Sequence, residues 1–416
     1  MNNYSDIVIA GGGMVGISMA LHLGAVLPRQ TSICLVEGFA LPRDDAGGEH
    51  GYHPSFDARS TALSYSSRVI YEQLGVWQDL QAGLCPIERI HVSSRGRFGS
   101  TVLRAQDYGW PALGYVAENA WLGQVLVRAL YRQRRVRVLS PARVCHATPR
   151  GTGVSLQVDG ADAGALQTAL LLVADGAASG LRRQLGVGVM EKPYGQHALV
   201  ANVAAAQPHR GCAYERFTGQ GPLALLPLLP APGGDCRGAV VWSLPPERAM
   251  QLRDCPEPVF LHALQQRFGY RLGRLLRVGE RHCYPLALVR AVEQVRQAVV
   301  VMGNAAHALH PVAGQGYNLA LRDVAELGAV LAQALAEGRS PGDLATLQSY
   351  QRRQQPDQAR TIGFSDLLPG LFMRRDPLLG LARDTALAGL DILPALKREF
   401  VRHAAGLAAS AGRDDG

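Results

Sequence analysis

The chain has 416 residues, 47% hydrophobic and 18% charged, a balance that excludes a disordered chain and leaves room for two or three packed units. Its 42 basic and 34 acidic residues leave a net charge of +8, spread in short clusters such as Arg132, Arg134, Arg135 and Arg137; without a nucleic-acid motif beside them these read as solvated surface, so no nucleic-acid partner is expected. Seven cysteines, odd in number and with no C-x-x-C pair, argue against a disulfide framework or a zinc site and for reduced thiols in a cytoplasmic protein.

The opening residues run directly into an apolar strand, Asp6 to Ala10, with no basic n-region or cleavage site, so no signal peptide is expected. A glycine turn follows, then a predicted helix from Val15 to Ala25 and a strand from Thr31 to Val36, which together make a β-α-β unit. Leu41 to Phe56, rich in Gly, Asp and Pro, reads as a loop. Helices are predicted at Ala62 to Leu74 and Trp121 to Tyr131, and strands at Val136 to Leu139, Val154 to Val158 and Ala169 to Val173. From Tyr194 to Tyr284 short apolar strands alternate with Pro and Gly clusters, as in an inserted antiparallel sheet. Phe217 to Gly234 carries no charge but holds Pro222, Pro227, Pro230 and Pro232, which favours strand and turn over a membrane span. A strand from Gln297 to Met302 leads back to the first unit, and Leu319 to Glu337 is a helix by its apolar period. The tail after Pro341 is expected to be helical and broken near Pro369, Pro377 and Pro394. The fold class is therefore α/β: a Rossmann-like cofactor domain with a parallel sheet in residues 1–190 and 285–340, an inserted antiparallel-sheet substrate domain in 191–284, and a helical region in 341–416.

The chemistry starts at Gly11-Gly12-Gly13-Met14-Val15-Gly16. Glycines at 11, 13 and 16 fit G-x-G-x-x-G: the first allows the turn, the second the approach of a pyrophosphate, the third close helix–strand packing. The helix that opens at Met14 and Val15 offers N–H groups and partial positive charge to phosphates. Glu37 lies 21 residues past Gly16, where an acid binds ribose hydroxyls and repels a 2′-phosphate. The turn alone suits FAD or NAD, not NADP.

Two further segments carry a resemblance. Leu172-Val173-Ala174-Asp175-Gly176 is followed by Ser179 and Arg182, and Gly303-Asn304-Ala305-Ala306-His307 by His310-Pro311 and Gly314-Gln315-Gly316-Tyr317-Asn318. With the glycine turn, these resemble the three spaced fingerprints of the group A flavoprotein monooxygenases, the para-hydroxybenzoate hydroxylase superfamily. Asp57-Ala58-Arg59-Ser60-Thr61-Ala62-Leu63 and the run from Leu309 to Asp323 look most like the ubiquinone-biosynthesis hydroxylases. Asn304 stands where the superfamily usually has Asp, similar to the branch acting on 2-polyprenyl-6-methoxyphenol; an amide there can still hydrogen-bond a hydroxyl.

The resemblance implies FAD as cofactor and NAD(P)H as a transient co-substrate, since no second glycine fingerprint is present. It implies O2 activation as a flavin C4a-hydroperoxide and hydroxylation of a polyprenylated methoxyphenol. It places Arg59, and more weakly Arg43, at the FAD phosphates or ribose, and Asp175 where FAD and the nicotinamide meet. Pro311, Gly314 and Gly316 let backbone approach a flat ring, and N–H groups from Gln315 to Asn318 would face negative charge on a reduced flavin. The cofactor carries the hard chemistry, so no single catalytic side chain is assigned; Pro311, Gly314 and Gln315 are the flavin-facing candidates. Trp121, Tyr194 and Trp242 suit an aromatic pocket or ordinary core. His307 and His310 lack a third ligand, so no metal site is expected.

A membrane-borne substrate fits an amphipathic surface contact by the tail from Ile362 to Ala408, at the inner face of the membrane, and equally fits helices capping the core. Other ubiquinone-biosynthesis proteins are conceivable partners. The rival readings are another flavin chemistry on the same scaffold, or an FAD-bound structural subunit of a quinone-biosynthesis complex. Trp77, Trp110, Trp121 and Trp242 are isolated, which counts against a halogenase.

Overall fold

The computed structural model describes residues 3–42, 59–94, 100–160, 164–231, 233–310, 314–373 and 405–406. The first sheet is built on the strand Tyr4–Ala10, whose Ile7, Val8 and Ile9 favour extended backbone. It pairs in parallel with Ile33–Val36 on one side and Gly164–Val173 on the other. Val299–Val301 extends the parallel set beyond Gly164–Val173, and Val136–Leu139 extends it beyond Ile33–Val36. The helix Met14–Val26 returns the chain between the first two strands. Strand alternation divides the core. Ile7 and Ile9 pack with helical Met19, Leu23, Leu126 and Leu327, while Val8 and Ala10 pack with Val144, Ala147 and Leu156 of the antiparallel strands Ala142–Arg150 and Gly153–Gly160. Burial on both faces accounts for the unbroken apolar runs of these strands.

A second sheet orders its strands as His307–Ala308, Leu275–Ala291, Val189–Ala205, Cys236–Leu244, Gly221–Pro227, Cys212–Thr218, Arg89–Ser94 and Ser100–Arg104. Neighbours are antiparallel except Cys212–Thr218 and Arg89–Ser94, which run parallel. The helices Pro246–Asp254 and Glu257–Phe268 cover one face, where Phe260, Leu264 and Phe268 meet Leu225, Val240 and Trp242. On the opposite face Ala213 and Ala239 pack with Ile87, Leu113 and Val116.

A small sheet of Ser60–Ser64, Gly114–Glu118 and Leu84–Ile87 lies between the two large ones. It turns Leu63, Tyr115 and Ala117 to the helical core of the first sheet and Val116 to the second sheet. The helix expected from Ala62 therefore starts later, as Tyr65–Gln73, capped by the Ser64 side chain, which accepts from Ser67 N–H. Residues 60–64 are claimed by pairing with Gly114–Glu118, a contact that local propensity does not register.

The helix Gln315–Ala336 packs against the helix Leu344–Met373, which runs on through Pro369 instead of breaking there. It also tolerates Pro356, with side-chain pairs on both sides of that residue holding it to its neighbour: Arg353 with Glu326 before it, and Arg322 with Asp357 and Asp323 with Gln358 after it. Pro377 and Pro394 lie outside the described residues. Among the described residues no helix is long and apolar enough to cross a membrane.

Candidate functional site

The glycine turn sits where the strand Tyr4–Ala10 ends. Gly11 has φ +110°, and a Cβ there would lie 2.4 Å from the Ala174 carbonyl oxygen. A Cβ on Gly16 would lie 1.8 Å from the Gly11 carbonyl oxygen. Glu37, buried at the end of Ile33–Val36, braces the turn: Gly12 N–H donates to its Oε2, and Phe39 N–H donates to Oε1 at 2.8 Å. Gly13 is the N-cap of the helix Met14–Val26, which has neither a side-chain cap nor an acid in its first turn. Its first N–H groups thus keep their partial positive charge uncompensated, which suits an anion.

The other two segments converge on this turn. Ala174 N–H donates to Ala10 O at 2.8 Å, setting Asp175 beside Gly11. The Asp175 carboxylate accepts from Leu181 N–H at 3.3 Å. Ser179 caps the short helix Gly180–Gln184, and buried Arg182 donates to Ala305 O at 2.7 Å, linking the second segment to the third. Met302 N–H donates to Val173 O at 3.0 Å. Gly303, at φ +59°, lies close against Val15, whose side chain would be 3.2 Å from a Cβ there. Asn304 next to it is exposed. Gly11, Val15, Asp175 and Asn304 therefore gather at the carboxyl ends of the parallel strands, the usual ligand side of an open α/β sheet.

Gly314, in the left-handed region at φ +61°, is the N-cap of Gln315–Ala336, a second helix start with no side-chain cap and no acid in its first turn. Gln315 is buried. Asn318 turns inward: its Oδ1 accepts from Ser64 N–H at 2.8 Å and Ser67 O–H at 2.7 Å, and its Nδ2 donates to Ala62 O and Gly314 O, each at 2.8 Å. The Tyr317 hydroxyl is hydrogen-bonded to that of Tyr71, and burial pushes it up to about 12. At 317 and 318 only backbone is left to face a ligand. The Arg59 guanidinium lies 4.9 Å above the ring of Tyr284, on the second sheet. Arg43 and Pro311 lie outside the described residues, as do Asp57 and Ala58.

Of the aromatic candidates, Trp121 donates to Leu80 O at 2.9 Å and Trp242 is buried beneath the two helices of the second sheet, so both are core. Tyr194 donates to Asp366 Oδ1 at 3.1 Å and meets the His310 ring edge-on at 5.0 Å; burial takes His310 down to about 4. His307 pairs with Asp323 at 2.7 Å, and Gln358 donates to the other Asp323 oxygen at 2.9 Å. Among the described residues no group of three potential metal ligands occurs. Asp323 and Arg182 were not foreseen as organising residues. The available signal was the charged pair Arg322-Asp323 inside an otherwise apolar helical run.

Two uncapped helix starts, a glycine turn that admits no side chain at 11 or 16, and a braced acid form a cradle whose donors and open backbone suit an FAD cofactor. The chain matches the family described as FAD binding domain over residues 4–365. Ubiquinone hydroxylase UbiL of Rhodospirillum rubrum is 33% identical over 402 residues, covering 97% of this chain and 90% of that protein. The 3-demethoxyubiquinol 3-hydroxylase of Escherichia coli is 30% identical over 412 residues, covering 98% and 100%. The p-nitrophenol 4-monooxygenase PnpA of Pseudomonas putida DLL-E4 shares the fold at a TM-score of 0.78 and 18% identity, covering 98% of this chain and 99% of that one. The chain belongs to the FAD-binding family of flavoprotein monooxygenases that includes the ubiquinone-biosynthesis hydroxylases.

Proposed function

We propose that this monooxygenase hydroxylates the ring of a polyprenylated methoxyphenol in ubiquinone biosynthesis, with NAD(P)H as electron donor and O2 as oxygen source. The observation that carries this reading is the convergence of the three fingerprint segments at the carboxyl ends of the parallel strands of the first sheet. FAD, when bound, supplies electron transfer from the nicotinamide and activation of dioxygen. The chain's own residues bind and orient. The start of the helix Met14–Val26 holds the pyrophosphate, Glu37 fixes the turn and the ribose beside it, and Arg59 and Asp175 flank the cofactor. Backbone N–H groups from Gln315 to Asn318, with Asn304, meet the ring system and its ribityl chain. A polyprenyl substrate resides in a bilayer, so peripheral contact at the inner face of the membrane belongs to the same reading; the tail from Ile362 to Ala408, named for that contact, lies largely outside the described residues.

The direct test is NADPH and NADH oxidation by the purified, FAD-loaded chain, with and without a short-chain 2-prenyl-6-methoxyphenol. Stimulated oxidation with a hydroxylated product is expected. Full flavin occupancy with no stimulation and no product would move the assignment to another aromatic substrate or to a structural subunit. The binding reading is tested separately by Glu37→Ala. Removing the acceptor of the buried Gly12 N–H and of the Phe39 N–H costs about 2 kcal/mol of turn stability, and at least a tenfold loss of FAD affinity is expected by fluorescence titration. Unchanged affinity would remove Glu37 from the site.

A further inference from the structure

The face of the second sheet turned towards the cofactor domain carries one group that the reading above leaves unused. Along the strand Cys212–Thr218, Tyr214 packs edge-on against Phe268 under the covering helices, and Ala213 packs with Val116 on the other side. Alternation therefore puts Glu215 on the Ala213 face. In register beside it lie Ala224, then Val241, then Val200, and all four positions are only half-buried. This row is an apolar floor with a single carboxyl at its edge. It looks towards the small sheet, whose Ala62 abuts Gly314 at the start of the ring-binding helix. Arg59 above Tyr284 bounds the same face, since Tyr284 pairs with Ala198, two residues from Val200.

Among the described residues no hydrogen bond or ion pair reaches Glu215, and its Oε1 is buried. Among the described residues, Arg237 is paired with Glu118, His282 lies beside Glu280 and Arg59 stacks on Tyr284; Asp366 of the helix Leu344–Met373, which also packs on the strands Cys212–Thr218 and Gly221–Pro227, is paired with Lys192. Arg216 and His91 belong to the opposite face, with Ser93 and Tyr214. Desolvation alone raises the Glu215 carboxyl to about 7. A buried acceptor without a donor is costly unless a ligand supplies one.

We propose that Glu215 is the anchor for the ring hydroxyl of the substrate: its carboxyl accepts the phenol O–H while Ala224, Val241 and Val200 support the ring and the start of its alkyl chain. This rests on the phenol-hydroxylase reading and adds the residue that selects a free hydroxyl. A site built to hydrogen-bond a hydroxyl discriminates strongly against an analogue that cannot donate.

The test is binding, read by perturbation of the flavin spectrum in the FAD-loaded protein, of 2-prenyl-6-methoxyphenol and of its O-methyl ether. Wild type is expected to bind the phenol at least tenfold more tightly than the ether. Glu215→Leu is expected to bind both alike, with unchanged flavin content, and Glu215→Gln to keep part of the preference. Folding is checked by melting. A carboxyl whose folded pKa is raised is destabilising above its ordinary value near 4.5 and fully so above 7, so Glu215→Leu should melt higher than wild type at pH 8.5, with the gain fading towards pH 5. A Glu215→Leu protein that still prefers the phenol tenfold overturns the anchor. Wild type that binds neither compound overturns the phenol reading itself, and the anchor with it.

Discussion

Gly16→Val is expected to purify as colourless apoprotein, with FAD retention reduced at least a hundredfold and the melting temperature lowered. A Cβ at this position lies 1.8 Å from the Gly11 carbonyl oxygen, far inside contact distance, and the obstructing atom is backbone that cannot rotate away. Relief requires the helix Met14–Val26 to withdraw from the turn. That shift displaces the N–H groups at its start, which are the proposed phosphate donors. It also disturbs the packing of Val15 against Gly303, so the first and third segments lose their register together. Overpacking of this kind costs about 3 kcal/mol or more, and a hundredfold in affinity corresponds to about 2.7 kcal/mol. The flavin-to-protein absorbance ratio after gel filtration decides the matter. Gly75→Ala serves as the control for generic glycine loss: Gly75 has φ +70° but open space around its Cβ position, so it should lose about 1 kcal/mol of stability and keep its flavin. Equal flavin content in Gly16→Val and wild type would separate the glycine turn from cofactor binding.

The legible parts of this molecule are those whose signal is local. The β-α-β unit shows because the apolar run ending at Ala10, the glycines and the apolar run ending at Val36 are consecutive, and the observed element boundaries lie within two residues of the expected ones. What was not legible depends on partners distant in sequence. Arg89–Ser94 joins the second sheet by pairing in parallel with Cys212–Thr218, more than a hundred residues away, and nothing in its own composition announces that edge. Ala62 to Ser64 reads as the start of a helix until Gly114–Glu118 is laid beside it. At the candidate site, the positions of Tyr317 and Asn318 follow from the helix start, but their inward side chains follow from Tyr71 and Ser64. Glu215 was silent for a similar reason: the run Tyr214-Glu215-Arg216-Phe217 alternates, and sequence alone does not say which face meets the covering helices.

Asp323→Leu is expected to lower the melting temperature by roughly 5–10 °C and, as a second effect, to weaken FAD retention. Asp323 and His307 are each 1% exposed, and the carboxylate meets His307 Nε2 on one oxygen and Gln358 Nε2 on the other. Leucine fills the space but leaves a buried imidazole nitrogen and a buried amide without their partner, a loss of about 3–5 kcal/mol when one member of such a set is removed. The consequence for the cofactor comes through the chain. His307 belongs to the two-residue strand paired with Val289 and Arg290, and it precedes the segment leading to Gly314 at the start of the helix proposed to meet the flavin ring. Gln358 belongs to the helix Leu344–Met373, so the same carboxylate holds three elements in place. Asp323→Asn keeps an acceptor oxygen for one partner and should fall between Leu and wild type on both readouts. The contrast of the two variants separates positioning from chemistry: a role in positioning makes flavin retention follow stability across the series. A variant with wild-type melting and flavin content but lost turnover would instead make the pair part of the reaction. A Leu variant that melts with wild type would show that the carboxylate does not hold these elements together.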